Sequence, residues 1–429
     1  MKIDTLIIKG LFKTFNYEIS LSANRLPLIL TGLNGYGKTT ILTIIKRLSE
    51  KDFFYFYRLP FDKISVLFDN DAKIDILSVE EKAQQQQGDE DYNLTIPREV
   101  KFIWTSSQEI VYTFNLGRTE INDVVKYMQG IDPSSKYDVN SDSFYEQTLK
   151  NKAFYGYFRK DKDFNFISMM LDSLKVTFIT AQRLDPIEEE LDDDFPFTET
   201  IRKPKMSEVS RLIKDRLRGE NLAFLSKSQY IDSKLIDSLL ADVWSFDEHD
   251  YNKLKDEVSK KIADLKSFGL VGNITIQPYD NEHGHILSVY LKNMDEKLKT
   301  YDNILSKLKL FSNIVNSLDF VNKTISYSPE KGLIIKTKDG LFLDANKLSS
   351  GEQNEIVMLY EMIFDVADNT ILLVDEPEIS LHVAWQNKFL NMMSRIASNN
   401  KLQVVVATHS PQIIGDRWDE CYDLCELCK

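Results

Sequence analysis

Apolar residues recur along the chain in two rhythms, at alternate positions or at every third to fourth, and the changes between them mark out its elements. Residues 5–8 and 17–21 alternate and predict strands, and residues 28–31 predict a buried strand that runs straight into glycine-rich sequence. Ile41, Leu42, Ile44, Ile45 and Leu48 then keep helical spacing, so the order is strand, loop, helix. Between positions 53 and 114 the chain is rich in Phe, Tyr, Ile and Val, with strand-like runs at 100–105 and 110–114. This pattern predicts a small antiparallel sheet, with a polar loop tip at 84–91. Another apolar run, 176–180, ends at Ala181, Gln182 and Arg183, and an acidic stretch at 188–194 then breaks the pattern.

From about 197 to 317 helical spacing dominates, as in Val209, Leu212, Ile213 and Leu217 or in Ile304, Leu308, Phe311 and Val315, and predicts a helical insertion. Strands return at 333–336 and 341–343 around Asp339 and Gly340, a favoured hairpin turn because both positions accept positive φ. Ile356, Leu359, Tyr360 and Ile363 mark an amphipathic helix, and 371–374 and 404–407 read as buried strands. The chain thus divides into an N-terminal core part at 1–185, an insertion at 186–330 and a C-terminal core part at 331–429. No internal repeat is visible, nor a coiled coil long enough for an extended arm.

Composition sharpens this picture. A chain of 429 residues exceeds one hydrophobic core, and 43% apolar with 11% aromatic residues is ample for two lobes. No apolar run is long enough to cross a membrane and the first ten residues alternate, so a cytoplasmic protein without a membrane partner is expected. A formal charge of −13 argues against a whole-surface nucleic-acid coat, though not against a local basic stripe. All three cysteines lie in the last nine residues, which is no disulfide framework and suits a reducing compartment.

The stretch Gly32, Leu33, Asn34, Gly35, Tyr36, Gly37, Lys38, Thr39 matches the phosphate-binding loop in full and stands between a strand and a helix, the context that pattern requires. Glycines let backbone N–H groups turn toward phosphates, the helix N-terminus adds partial positive charge, Lys38 reaches the β and γ phosphates and Thr39 offers a hydroxyl to Mg²⁺. The run at 371–374 delivers Asp375 and Glu376 at the carboxyl end of a strand, where ligands sit in open α/β sheets. Asp375 is the expected metal carboxylate, directly or through water, and Glu376 the expected general base for an attacking water. Two acids after a core strand mean little alone; with Lys38 upstream they complete a site.

Leu348, Ser349, Ser350, Gly351, Glu352 and Gln353 precede the helix carrying Ile356, and Ser350 with Gln353 fits a capping box, so this stretch can be a helix start and nothing more. It also resembles the signature motif of ABC-class P-loop ATPases. That resemblance covers the two ends of the chain, with the motifs in the family's order. It implies an α/β fold: a mixed sheet flanked by helices, an antiparallel β-subdomain and a helical insertion. It further implies ATP hydrolysis with ATP and Mg²⁺ bound by Asn34, Gly35, Gly37, Lys38, Thr39 and Thr40, and a homodimer or higher oligomer in which Ser349 and Gly351 contact ATP held by the other subunit. His409, after the strand at 404–407, matches the family's switch histidine for the γ-phosphate, and Gln182 matches its Q-loop, a ligand of Mg²⁺ or the attacking water.

The run from Asp375 through Glu378 to His382 is similar to that of overcoming-lysogenisation-like, RecF-like and SMC-like bacterial ATPases. About twenty residues follow His409, too few for a nuclease domain, and stand-alone ATPases of this kind resemble those of PARIS- and Septu-type anti-phage systems. The resemblance therefore implies a separately encoded effector, a nuclease or toxin. A DNA-repair ATPase binding DNA through the insertion is the alternative, and a transporter subunit a minor one. Arg202, Lys203, Lys205, Arg211, Lys214, Arg216 and Arg218 can touch DNA phosphates or simply form a solvated face. Cys421, Cys425 and Cys428 have spacing for zinc or an iron–sulfur cluster but no evident fourth ligand, and packing of the terminal segment is the favoured reading.

Overall fold

The computed structural model of the chain describes residues 1–21, 27–79, 99–131, 157–179, 205–240, 246–317, 323–337, 339–344, 347–379, 381 and 383–427. Its strands are β1 (Ile3–Leu11), β2 (Phe15–Ser20), β3 (Leu28–Thr31), β4 (Lys63–Phe68), β5 (Lys73–Val79), β6 (Glu99–Thr105), β7 (Val111–Gly117) and β8 (Val176–Ile179). After a long helical stretch follow β9 (Lys323–Ser328), β10 (Gly332–Thr337), β11 (Phe342–Leu343), β12 (Ile371–Asp375), β13 (Gln403–Ala407) and β14 (Cys421–Asp423). Two compact units arise, one from 1–181, 366–379 and 386–429, the other from 182–365 and 380–385.

The first unit holds two sheets. One is antiparallel with the order β2-β1-β4-β5-β6-β7; the other is parallel with the order β14-β3-β13-β12-β8. The expected antiparallel sheet is therefore larger than its sequence signal, because β1 and β2 join it by pairing β1 with β4. Gln403 ties the two sheets: its Nε2 donates to the carbonyls of Ile3 and Leu21 at 2.7 and 3.0 Å, and its Oε1 accepts from Ile3 N at 3.2 Å. The central strands of the parallel sheet, β3, β12 and β13, are buried along their apolar length. Continuous apolar runs of this kind are what a sheet covered on both faces demands.

The aromatic segment after Asp52 is a helix, Phe53–Arg58, and not a strand. The Asp52 carboxylate caps it by accepting from Tyr55 N, and helical spacing buries Phe53, Phe54, Phe56 and Tyr57 together, an arrangement a strand would have split between two faces. Phe53 anchors an aromatic nest with Phe102, Phe114 and Phe164, ring centroids 4.7 to 5.6 Å away.

The second unit is mainly helical, with helices Lys205–Ser233, Leu235–Leu240, Glu248–Ser267, Gly284–Leu298, Asp302–Asn316 and Ser350–Tyr360. Val209, Ile213 and Leu217 are buried on the first, and Ile304, Leu308, Phe311 and Val315 on the fifth, as their spacing predicts. Its sheet, β11-β10-β9, packs on the helix Lys205–Ser233. The approach is close: a Cβ on Gly332, which has φ +71°, would come within 2.1 Å of the Ser210 carbonyl oxygen. The hairpin between β10 and β11 is wider than the expected two-residue turn. Thr337 N donates to Leu341 O, Gly340 N donates to Thr337 O, and of Asp339 and Gly340 only the glycine has positive φ, which needs no tolerance from Asp339.

Candidate nucleotide-binding site

Three strands of the first unit deliver the chemistry from their carboxyl ends. β3 lies between β13 and β14, with Leu30 opposite Ala407 and Tyr422, and leads into the loop that ends where the helix Lys38–Ser49 begins. Gly32, Gly35 and Gly37 all have positive φ, at +147, +90 and +79°, so the loop's path is one that residues with a Cβ resist. The Lys38 residue is 5% exposed, and its ammonium donates to the carbonyls of Gly32 at 2.8 Å and Leu33 at 3.3 Å. Asn34 and Thr39 are exposed, and Thr40 half-buried.

β12 pairs in parallel with β13, placing Asp375 opposite Ala407. The Thr39 hydroxyl donates to Asp375 Oδ2 at 2.9 Å, while Asp375 Oδ1 is buried with no hydrogen-bond partner among the described residues. Burial pushes the Asp375 carboxyl above its ordinary range; Thr39 and Lys38 act against this, and the neighbouring carboxylates of Glu376 and Glu378 add to it. An orphaned carboxylate oxygen beside a hydroxyl is the oxygen set that suits Mg²⁺, so these residues fit the ion the sequence implies. The next residue, Glu376, takes φ +43° and donates its N–H to Ala407 O at 2.9 Å, a backbone conformation uncommon outside glycine and typical of functional turns.

His409 follows β13 and is brought to the same place. Its Nδ1 lies 3.7 Å from Glu376 Oε1 and 3.1 Å from Glu378 Oε1. Glu378, absent from the expected site, sits on the short turn Pro377–Ile379, with a side chain 8% exposed. The sequence signals for it are its position two residues after Glu376 and its place in the run from Asp375 to His382. A cavity of about 500 Å³ is lined by Thr31, Gly32, Leu33, Asn34 and His409 together with Asp423 and Cys425. The last two belong to the C-terminal segment that β14 lays beside β3, a contribution that three residues of strand signal could not announce.

Ser349 and Gly351 lie in the second unit. Ser349 is the N-cap of the helix Ser350–Tyr360, and the capping box is formed by Ser349 with Glu352, one residue earlier than the expected pair Ser350 and Gln353. The reason is the Glu352 carboxylate, which reaches back to Ser349 N at 2.9 Å and also takes Lys323 Nζ at 2.7 and 2.9 Å. Gln353 instead donates to Leu348 O at 2.9 Å. A Cβ on Gly351 would meet nothing within 4 Å. Gln182 lies outside the described residues, as do the acidic stretch 188–194, Arg202, Lys203 and Cys428.

Of the basic run, Arg211 pairs with Glu208 and Asp215, and Arg216 donates to the Tyr360 hydroxyl at 3.1 Å and to Asp365 at 2.7 Å. Cys421 donates to Arg417 O at 3.4 Å, and burial, with Glu420 and Asp423 nearby, pushes its thiol up to about 11. No helix of the described residues is long and apolar enough to cross a membrane.

The model of the AAA ATPase domain matches residues 1–414. Comparison with curated proteins finds no match. Among solved structures, the SMC head domain from Thermotoga maritima is 10% identical, with 98% of this chain and 92% of that one covered and a TM-score of 0.33. The Smc head domain with an extended coiled coil bound to the C-terminal domain of ScpA, from Pyrococcus furiosus, is 13% identical over 96% and 91%, with a TM-score of 0.31. The family rests on the domain match, which spans both compact units and every site residue named above from Asn34 to His409. With its α/β core and the site built on β3, β12 and β13, the chain belongs to the AAA ATPase domain family and is an ATPase.

Proposed function

We propose that this ATPase acts as a cytoplasmic head-to-tail homodimer that closes on two ATP molecules, reopens on hydrolysis, and through that cycle controls a separately encoded effector, a nuclease or toxin, in anti-phage defence. The observation that supports the ATP cycle is the hydrogen bond from Thr39 to Asp375, with Glu376 and His409 3.7 Å apart beside it; the effector and its defence role rest on the resemblance. In the cycle, Asn34, Gly35, Gly37 and Thr40 hold the phosphates through the loop, and Lys38 binds the β and γ phosphates. Thr39 and Asp375, with Gln182, hold Mg²⁺, which when bound offsets phosphate charge. Glu376 accepts the proton of the water that attacks the γ-phosphate, and His409 senses that phosphate.

The dimer follows from Ser349 and Gly351. The support is their resemblance to a signature motif that contacts ATP held by the other subunit; among the described residues a Cβ on Gly351 would meet nothing within 4 Å, so that helix start is open. The pairing of Arg211 and Arg216 within the chain leaves less of the basic run for the DNA of the repair reading. Glu376→Gln tests the core of this. Turnover should fall by about 100-fold or more, with ATP holding the variant at twice the monomer mass in light scattering. A variant that hydrolyses ATP at the normal rate removes Glu376 from the base role. ATP turnover that rises with DNA and loses that response when Lys214 and Arg218 are neutralised would replace the effector with DNA.

A further inference from the structure

We infer that Glu378 is a positioning residue for His409, holding its backbone N–H and the Thr408 hydroxyl in place with Nδ1 of the imidazole close by, so that Glu376 is left to the attacking water. The inference rests on the reading of His409 as the phosphate sensor. Both carboxylates come from the exit of β12, but the turn Pro377–Ile379 carries Glu378 back into the protein, where its side chain is 8% exposed against 28% for Glu376.

Glu378 Oε1 gathers three groups from the exit of β13. The Thr408 hydroxyl lies 2.8 Å away, His409 N 3.0 Å and His409 Nδ1 3.1 Å. The direction of these bonds is constrained. Thr408 Oγ1 already accepts from Ser410 N at 3.0 Å, so its own proton goes to Glu378, and the backbone N–H of His409 can only donate. The third group is a close approach of the ring, at 3.1 Å, beside those two hydrogen bonds. With Nδ1 beside the buried carboxylate, Nε2 is the ring nitrogen left for a phosphate oxygen. Thr408 N in turn donates to Leu30 O at 3.0 Å, which ties the same cluster to the strand that feeds the phosphate loop.

At 3.7 Å, Glu376 Oε1 is beyond hydrogen-bond reach of Nδ1, so the buried carboxylate is the nearer to the ring and the more exposed one keeps its oxygens. Without Glu378, the carboxylate left within 4 Å of Nδ1 among the described residues is the base itself, and the two roles would compete.

The test is a double-mutant cycle on ATP hydrolysis by the full chain with Mg²⁺. Glu378→Ala should lower kcat by about 10- to 100-fold with KM for ATP within about two-fold of the parent. Glu378→Gln, which keeps an acceptor oxygen in place, should restore most of that rate. In a protein already carrying His409→Ala, Glu378→Ala should cause no further loss. A full additional loss in that background overturns the inference, as does a glutamine variant as slow as the alanine one. If His409→Ala turns over at the parent rate, the sensor reading fails first, and a loss in Glu378→Ala then acts without His409. Should the alanine variant not fold, Glu378→Asp withdraws the carboxylate by one methylene, and wild-type turnover in that variant overturns the inference.

Discussion

Asp375, in the unit that carries the phosphate loop, and Glu352, in the helical unit, are both carboxylates drawn partly out of water, and their surroundings treat them in opposite ways. Among the described residues Asp375 has one donor, the Thr39 hydroxyl, and a buried oxygen with none, and burial lifts its carboxyl above the ordinary 3.8. Burial would lift Glu352 as well, but Lys323 and Ser349 donate to it and outweigh that, holding it below the ordinary 4.5. One group is left short of partners for a ligand to supply, while the other is fully used in starting a helix. Sites are where such deficits are retained, because a carboxylate already satisfied by the protein has little to offer a metal or a substrate.

The comparison breaks hardest at Lys38. Replacing it with alanine should weaken ATP binding by about 100-fold or more in a fluorescent-nucleotide titration, because the loop loses its one fixed cation toward the β and γ phosphates. The circular-dichroism melt should change little beside that loss, and a variant that binds ATP normally would detach the loop from nucleotide altogether. Gly351→Ala probes the helical unit next. Alanine is the better helix former, so the melting temperature should hold or rise, while turnover falls by about ten-fold with ATP affinity unchanged. Unaltered turnover would return Gly351 to a plain helix start.

The smallest and most discriminating pair is Asp375→Asn with Glu352→Gln. A carboxyl whose folded pKa is raised contributes stability below its unfolded pKa and loses it as pH rises through the folded value, so Asp375 is a burden at neutral pH. A depressed carboxyl does the reverse, contributing above its unfolded pKa and losing that as pH falls through the folded value. At pH 7 Asp375→Asn should therefore raise the melting temperature and Glu352→Gln lower it, each by roughly 2–4 °C, with both differences shrinking below about pH 4. Shifts of the same sign would erase the contrast. Asp375→Asn should also lose Mg²⁺-dependent turnover while gaining stability.

Much of the site was legible because buried parallel strands are written as short continuous apolar runs, and the residues that follow them project from the same sheet edge. Residues 28–31 coincide with β3, and β12 and β13 each extend the expected run by one residue. The capping box slipped by one residue because Ser349 with Glu352 and Ser350 with Gln353 both satisfy the same pattern; only the approach of Lys323 decides between them. The aromatic helix after Asp52 was misread since Phe and Tyr favour strands when packing is unknown. The role of Glu378 could not be read from its place in the run, for its meaning lies in Thr408 and His409, which the topology of the sheet brings to it from the next strand.

The pairing of β3 has a consequence for how the protein is made. Both of its neighbours, β13 and β14, follow every other described strand in the sequence and so leave the ribosome long after β3. For most of translation the strand behind the phosphate loop has two open edges, and Leu28, Ile29 and Leu30 have no sheet to enter. Such a segment is a target for chaperones and for misassembly with other nascent chains, and its closure is a contact of very high sequence separation. Nucleotide capture is thereby reserved for chains extended past β14, and a polypeptide released before then carries the loop's sequence without the sheet that shapes it.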